Sequence, residues 1–202
     1  MTERSDEELM GAFVAGQAEA FDLLLQRHQS GLFAFLARQL GDSALAEDLF
    51  QEVFLRVVRH RHQFRSDGRF APWLYQIARH ACVDQHRRAR LRAADSLDHP
   101  AQRDGPAGEC LADRMPAAGE DPEAQVLRAE LKAAVDEFLT ELPSEQREVF
   151  LLRTDAELSF PEIAETLGCP LDTAKSRMRY AVATLRRRFG IHPVARVSGG
   201  GR

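Results

Sequence analysis

The sequence predicts an all-α protein made of two small helical domains joined by a flexible linker. Three observations carry that expectation. Apolar residues recur at three- and four-residue steps from Leu9 to Ala81 and again from Leu127 to Met178, the spacing of one face of a helix. No period-two segment is long enough for a strand. Between the two periodic regions, residues 93–121 are rich in alanine, glycine, proline and acids, a composition that buries too little apolar surface to offset the entropy of ordering it.

The first helix is expected after Ser5, because Glu8 three residues on completes the form of a capping box ahead of Leu9, Met10 and Phe13. A second should begin near Ala18, carry Phe21, Leu24, Leu25, Leu32, Phe35 and Leu36 inward, and stop at Gly41. Asp42 or Ser43 then caps a third, with Ala46, Leu49, Phe50, Val53, Phe54 and Val57 on its apolar side. Residues 64–70 contain Ser-Asp-Gly and read as a loop. Pro72 suits the first turn of a fourth helix that buries Leu74, Ile77, Ala78 and Ala81. Past the linker, Asp121-Pro122-Glu123 starts a helix through Leu127, Leu131, Ala134, Val135 and Phe138. Leu142-Pro143-Ser144 ends it and begins another, and Ser159 with Glu162 forms a second capping box. The resulting division is a domain over 5–92, the linker over 93–121, a domain over 122–190, and a short glycine-rich tail over 191–202 expected to be disordered.

The net charge of −4 conceals a patterned distribution. Residues 69–92 hold six arginines and one acid, Asp84, and from Thr173 onward there is no acid while Lys175, Arg177, Arg179 and Arg186–Arg188 cluster. Two basic blocks flanking an acidic connector suggest two sites for a polyanion; on charge alone, two solvated helix faces are the favoured reading. Other classes are poorly supported. No apolar run approaches the roughly 18 residues of a membrane span, and the acidic start lacks the apolar stretch of a secretory signal, so a cytoplasmic protein without membrane insertion is expected. Cys82, Cys110 and Cys169 are too few and too scattered for a disulfide framework or a zinc site. His60, His62, His80 and His86 lack ligand-spaced partners, so no metal and no cofactor is expected. No phosphate-binding loop, nucleophile elbow or carboxylate pair suggests an enzyme.

Residues 158–179 are the most informative stretch. A short capped helix, a turn at Gly168 and a basic helix anchored by Ala174 and Met178 form the pattern of a helix-turn-helix, with Ala164 small enough for close helix approach. Thr173, Lys175, Ser176, Arg177, Arg179 and Tyr180 then point away from the core. Arginine reads guanine with two hydrogen bonds, while lysine and hydroxyls serve phosphates or base edges. The run Leu142-Pro-Ser-Glu-Gln-Arg-Glu-Val-Phe-Leu-Leu-Arg, with Leu158-Ser-Phe-Pro-Glu-Ile-Ala and Thr173-Ala-Lys-Ser-Arg, resembles region four of extracytoplasmic-function (ECF) sigma factors. The resemblance implies that these outward residues read the −35 promoter element. Pro161 stands where that family more often has an acid, and Ala174 where valine is usual.

The N-terminal half extends the resemblance. Ala46-Glu-Asp-Leu-Phe-Gln-Glu-Val-Phe-Leu-Arg-Val is similar to sigma region two, which implies docking on the beta-prime coiled coil of core RNA polymerase through Asp48, Gln51, Glu52 and Arg56. The segment from Phe64 to Arg79 resembles the part that opens and reads the −10 element. Strand opening needs a polar pocket for an unstacked base and cations for the displaced backbone. The loop Arg65, Ser66, Asp67, Gly68 and Arg69 is the expected pocket, with Arg79, His80, Arg87 and Arg88 on phosphates and Asp84 at a base edge. Trp73 is expected to pack in the core. The resemblance further implies contact with the beta flap of polymerase and control by an anti-sigma factor. A simple helix-turn-helix regulator, which needs a sensor or dimerisation domain, and a small nuclease, which needs clustered metal-binding acids, remain as rivals.

Overall fold

The computed structural model describes residues 4–65, 67–95 and 122–190, and every regular element among them is helical. The N-terminal half comprises α1 (Asp6–Val14), α2 (Ala18–Leu40), α3 (Ser43–His60), a 3-10 turn at Arg61–Gln63, and α4 (Phe70–Asp95). The C-terminal half comprises α5 (Pro122–Glu141), α6 (Ser144–Thr154), α7 (Phe160–Leu167) and α8 (Leu171–Phe189).

Local chemistry sets the helix ends. Ser5 Oγ accepts from the Glu8 backbone N–H at 3.2 Å, and Glu8 Oε2 accepts from the Ser5 N–H at 2.8 Å, completing the expected capping box of α1. Asp42 rather than Ser43 caps α3, accepting from Leu45 N at 3.1 Å. Gly41 ends α2 at φ 67°, a left-handed conformation that costs a Cβ-bearing residue about 1–2 kcal/mol. At the start of α4 the missing cap comes from another helix: Glu7 Oε1 of α1 accepts from Phe70 N at 3.3 Å.

α2 is the central element. Leu24, Leu32, Phe33, Phe35 and Leu36 are all buried, so α2 is enclosed on more than one side. α1, α3 and α4 pack around it, and α6 of the other half packs on it too. Phe33, Phe50, Phe54 and Phe21 form a chain of edge-on ring contacts between α2 and α3. Phe35 meets Tyr75 of α4 edge-on at 5.3 Å. Trp73 is half-buried and rests on Phe64 and Phe70, the packing role expected of it. Cys82 is buried, and desolvation pushes its thiol up to about 12, in keeping with a small apolar role.

Two sequence expectations change. α4 runs to Asp95, three residues into the stretch read as linker. Leu127 and Leu131, expected on the inner face of α5, are 66% and 60% exposed; that stripe becomes buried only from Phe138, where α5 reaches the rest of the fold. Residues 96–121, the tail 191–202, Ser66, Cys110 and the cap residue Asp121 lie outside the described residues.

α1 is tied to α2 by Asp6, whose carboxylate accepts from Arg27 Nη1 at 2.7 Å and meets His28 Nε2 at 2.6 Å. Burial pushes the Asp6 carboxyl up, but the hydrogen bonds of Arg27 and His28 outweigh it and hold it below the usual carboxylate value. A carboxyl lowered in the folded state contributes stability that is fully present above its unfolded pKa and is lost as pH falls through the folded value. Asp6→Asn is therefore expected to cost about 1–3 kcal/mol at neutral pH, measured by urea denaturation, and to flatten the acid limb of stability against pH. An equal loss at every pH would show that the carboxylate charge is not what holds α1.

Candidate nucleic-acid interface

α3 turns Leu49, Val53 and Val57 into the core, which leaves Asp48 and Gln51 exposed on the opposite side and Glu52 and Arg56 half-buried beside them. Arg56 is not a free surface group. Its Nη2 donates to Glu52 Oε1 at 2.5 Å and to Asp84 Oδ2 of α4 at 3.3 Å, and Arg88 Nη1 lies 4.0 Å from Glu52 Oε2. Desolvation works against the Arg56 charge, but Glu52 and Asp84 overcome it and hold the proton more tightly than usual. The structure thus joins two residues expected at the polymerase face with two expected at the −10 element. In the middle of the α3 face sits Leu55, 54% exposed. Sequence reasoning assigned it no role, although its place four residues after Gln51 and three after Glu52 puts it on the polar stripe.

In the loop before α4, Gly68 N donates to Arg65 O at 2.9 Å, closing a tight turn. Arg65 grips Asp67 through two hydrogen bonds of 3.1 and 2.9 Å, and that contact holds the fully exposed Asp67 carboxyl below its usual value. Arg69 remains 71% exposed, with Nε 3.4 Å from Glu7 and Nη2 3.5 Å from Glu162 of α7. Along α4, His80, Arg87 and Arg88 are exposed, whereas Arg79 is not: its Nε donates to Glu148 of α6 at 2.7 Å. Between the end of α3 and the start of α4 lies an open cleft of about 250 Å3 lined by Arg56, His60, Gln63, Trp73, Gln76, Ile77 and His80. Of these, only Arg56 and His80 were expected at a site. The others sit on different helices, and only the packing of α4 on α3 brings them together.

The C-terminal half contains the expected helix-turn-helix. Ser159 and Glu162 cap α7, with Glu162 Oε2 accepting from Ser159 N at 2.8 Å. Gly168 closes α7 at φ 62°, and α8 follows after Pro170. Ile163, Ala164, Ala174 and Ala181 are buried and α8 packs on both α6 and α7, so α8 presents its opposite face outward. Lys175, Arg179 and Tyr180 are exposed there, with the Arg179 guanidinium 5.3 Å from the Tyr180 ring centre. Thr173, Ser176 and Arg177 are half-buried. The Ser176 hydroxyl donates back to Thr173 O at 2.9 Å, and Arg177 Nη2 donates to Glu145 of α6 at 2.6 Å. The six expected −35 residues share one helix, and Ser176 and Arg177 among them carry partners within the chain.

Among the described residues there is no group of three or more metal-binding side chains, and no helix is long and apolar enough to cross a membrane.

Comparison with known proteins agrees with both halves. The family model described as Sigma-70 region 2 matches residues 24–92, and that described as Sigma-70, region 4 matches residues 132–185. The chain is 33% identical to the RNA polymerase sigma-H factor of Pseudomonas aeruginosa over 178 residues, covering 88% of this chain and 90% of that protein. It is 36% identical to the ECF RNA polymerase sigma factor SigM of Mycobacterium tuberculosis over 188 residues, covering 93% and 86% of the two chains. Its fold is similar to that of the sigma factor RpoE of Bartonella quintana, solved in complex with the anti-sigma factor NepR, with a TM-score of 0.64 at 23% identity, covering 86% of this chain and 98% of that one. With region two built on α2–α4, region four on α5–α8, and 36% identity to an ECF sigma factor over 93% of its length, the chain belongs to the ECF sigma factors of RNA polymerase.

Proposed function

We propose that this sigma factor docks on core RNA polymerase through the outer face of α3, holds the opened −10 element along the loop before α4 and the exposed face of α4, and reads the −35 duplex with α8. The observation that carries this reading is the outward basic face of α8, set by the buried Ala174 and Ala181, in one chain with an α3 face whose centre is an exposed leucine between Gln51 and Glu52. The first feature suits the major groove, where an exposed helix with arginines reads base edges. The second has the character of a docking patch, an apolar anchor ringed by polar groups.

The process involves no covalent chemistry by this chain. The Arg65–Asp67 loop and the cleft beside Trp73 offer polar edges to an unstacked base, while Arg69, Arg87 and Arg88, with Arg79 once it leaves Glu148, offer cations to the backbone. Residues 5–92 and 122–190 act as separate reading modules and the segment between them as a tether, which raises the effective concentration of the second module once the first is bound. Action in the cytoplasm and control by an anti-sigma partner complete the reading, the latter supported by the fold shared with an anti-sigma-bound relative.

In vitro transcription with purified core enzyme over a promoter library tests the whole reading: the polypeptide is expected to confer start-site selectivity, and its failure at every promoter would end the proposal. Within that assay, Arg177→Ala is expected to cost about 1–3 kcal/mol and to relax selectivity at one −35 position. Lys175→Ala should instead weaken binding evenly across sequences and lower the salt slope by about one. The reverse pattern would exchange their roles. Leu55→Ala is expected to cost about 1–2 kcal/mol of core-enzyme affinity, as apolar anchors do, with melting temperature unchanged because the side chain is exposed. Core affinity equal to that of the unsubstituted chain would remove Leu55 from the docking face.

A further inference from the structure

The first turn of α1 carries three acids in a row, and each has a different task. Glu8 closes the capping box of its own helix. Asp6 turns to α2, where it meets Arg27 and His28. Glu7 turns to α4, and its Oε1 does two things at once: it accepts from Phe70 N at 3.3 Å and lies 3.4 Å from Arg69 Nε. Phe70 is fully buried, so its N–H cannot turn to water and needs an acceptor from the protein. Arg69, the residue before α4, has no side-chain oxygen to supply one. The ring of Phe70 is seated from the same helix, because His28, held by Asp6, stands 5.2 Å from it. That ring in turn supports Phe64 at 6.2 Å and Trp73 at 6.1 Å, and Trp73 lines the cleft between α3 and α4.

We propose that Glu7 is a positioning residue of the −10 site: by capping α4 and bracing Arg69, it sets the angle at which the loop before α4 meets the first turn of that helix, and so which bases an opened strand can place there. The proposal rests on the reading of that loop and of Arg69 as −10 contacts. A carboxylate suits the post for two reasons. It complements the partial positive charge at a helix N-terminus. It also gives Arg69 a partner on the helix side while leaving that side chain 71% exposed, open to a phosphate. Arg69 Nη2 lies 3.5 Å from Glu162 as well, but among the described residues only Glu7 joins the arginine to the cap of α4. A site that reads by geometry needs its groups held to about 0.5 Å by neighbours outside the contact itself. Glu7 is such a neighbour.

In vitro transcription with core enzyme compares the unsubstituted chain with Glu7→Ala and Glu7→Gln on two promoter libraries, one varied at the −10 element and one at the −35 element. Glutamine keeps an oxygen for Phe70 N–H, and alanine keeps none. Glu7→Ala is expected to flatten the −10 preference by about three- to tenfold, the weight of one lost hydrogen bond, with the −35 preference unchanged. Glu7→Gln should restore most of it. Equal losses on both libraries would mark Glu7 as merely structural and overturn the proposal. So would an unchanged −10 preference in Glu7→Ala, or a glutamine variant no better than alanine. Should Glu7→Ala not fold by circular dichroism, Glu7→Met replaces it, keeping the length of the side chain without its oxygens. Failure of both to fold also overturns the proposal, since Glu7 would then serve stability alone. Absence of any −10 preference in the unsubstituted chain defeats the −10 reading and takes the proposal with it, whereas a preference that the variants share removes only the proposal.

Discussion

The arrangement depends on the burial of α2. A surface helix needs one apolar stripe, but α2 hides Leu32, Phe33, Phe35 and Leu36 within five positions, so neighbours must approach it from more than one direction. α1, α3 and α4 cover part of that circumference, and α6 adds to the cover near Gly31. Everything functional is referred to this axis. α3 can present Gln51, Leu55 and Glu52 outward only because Leu49, Val53 and Val57 are committed to α2 and its neighbours. α4 can present His80 and Arg87 only because Leu74, Ala78 and Ala81 are committed in the same way.

Much of this was legible in the sequence because it is local. The capping boxes at Ser5 and Ser159, the stops at Gly41 and Gly168 and the break at Pro143 are determined by residues within one helical turn, and the structure places them as read. The stripes of α2, α3 and α8 follow from periodicity. What periodicity cannot give is the far partner of a charge. Nothing near Arg79 in the chain indicates Glu148, and nothing near Phe70 indicates that Glu7 of α1 caps α4. Leu127 and Leu131 mislead for the same reason: an apolar stripe says which face is buried if something lies against it, not that something does. Glu157 adopts φ 55° between α6 and α7, a conformation that glycine usually marks, and no glycine marked it.

The candidate residues lie on shared helix faces, and what the sequence did not show is the contacts among them. Glu52 and Arg56 were assigned to polymerase and Asp84 and Arg88 to DNA, yet the four form one chain of alternating charge between α3 and α4. With α3 at polymerase and α4 at a strand, as proposed, this chain of charge would couple the two tasks: a polymerase group that drew Glu52 away would change the field at Arg56 and Arg88. The coupling needs no conformational relay, because the groups lie within direct Coulomb reach.

Salt acts differently on the ion pairs within the chain and on the binding of a polyanion to its exposed cations. At physiological ionic strength the Debye length is about 8 Å, so the 2.7 Å pair of Arg79 with a mostly buried Glu148 is weakly screened. DNA binding, by contrast, is driven largely by release of condensed counterions and falls steeply as salt rises. The pair of Arg79 with Glu148 is therefore expected to persist at salt concentrations that already weaken contacts between exposed arginines and a polyanion.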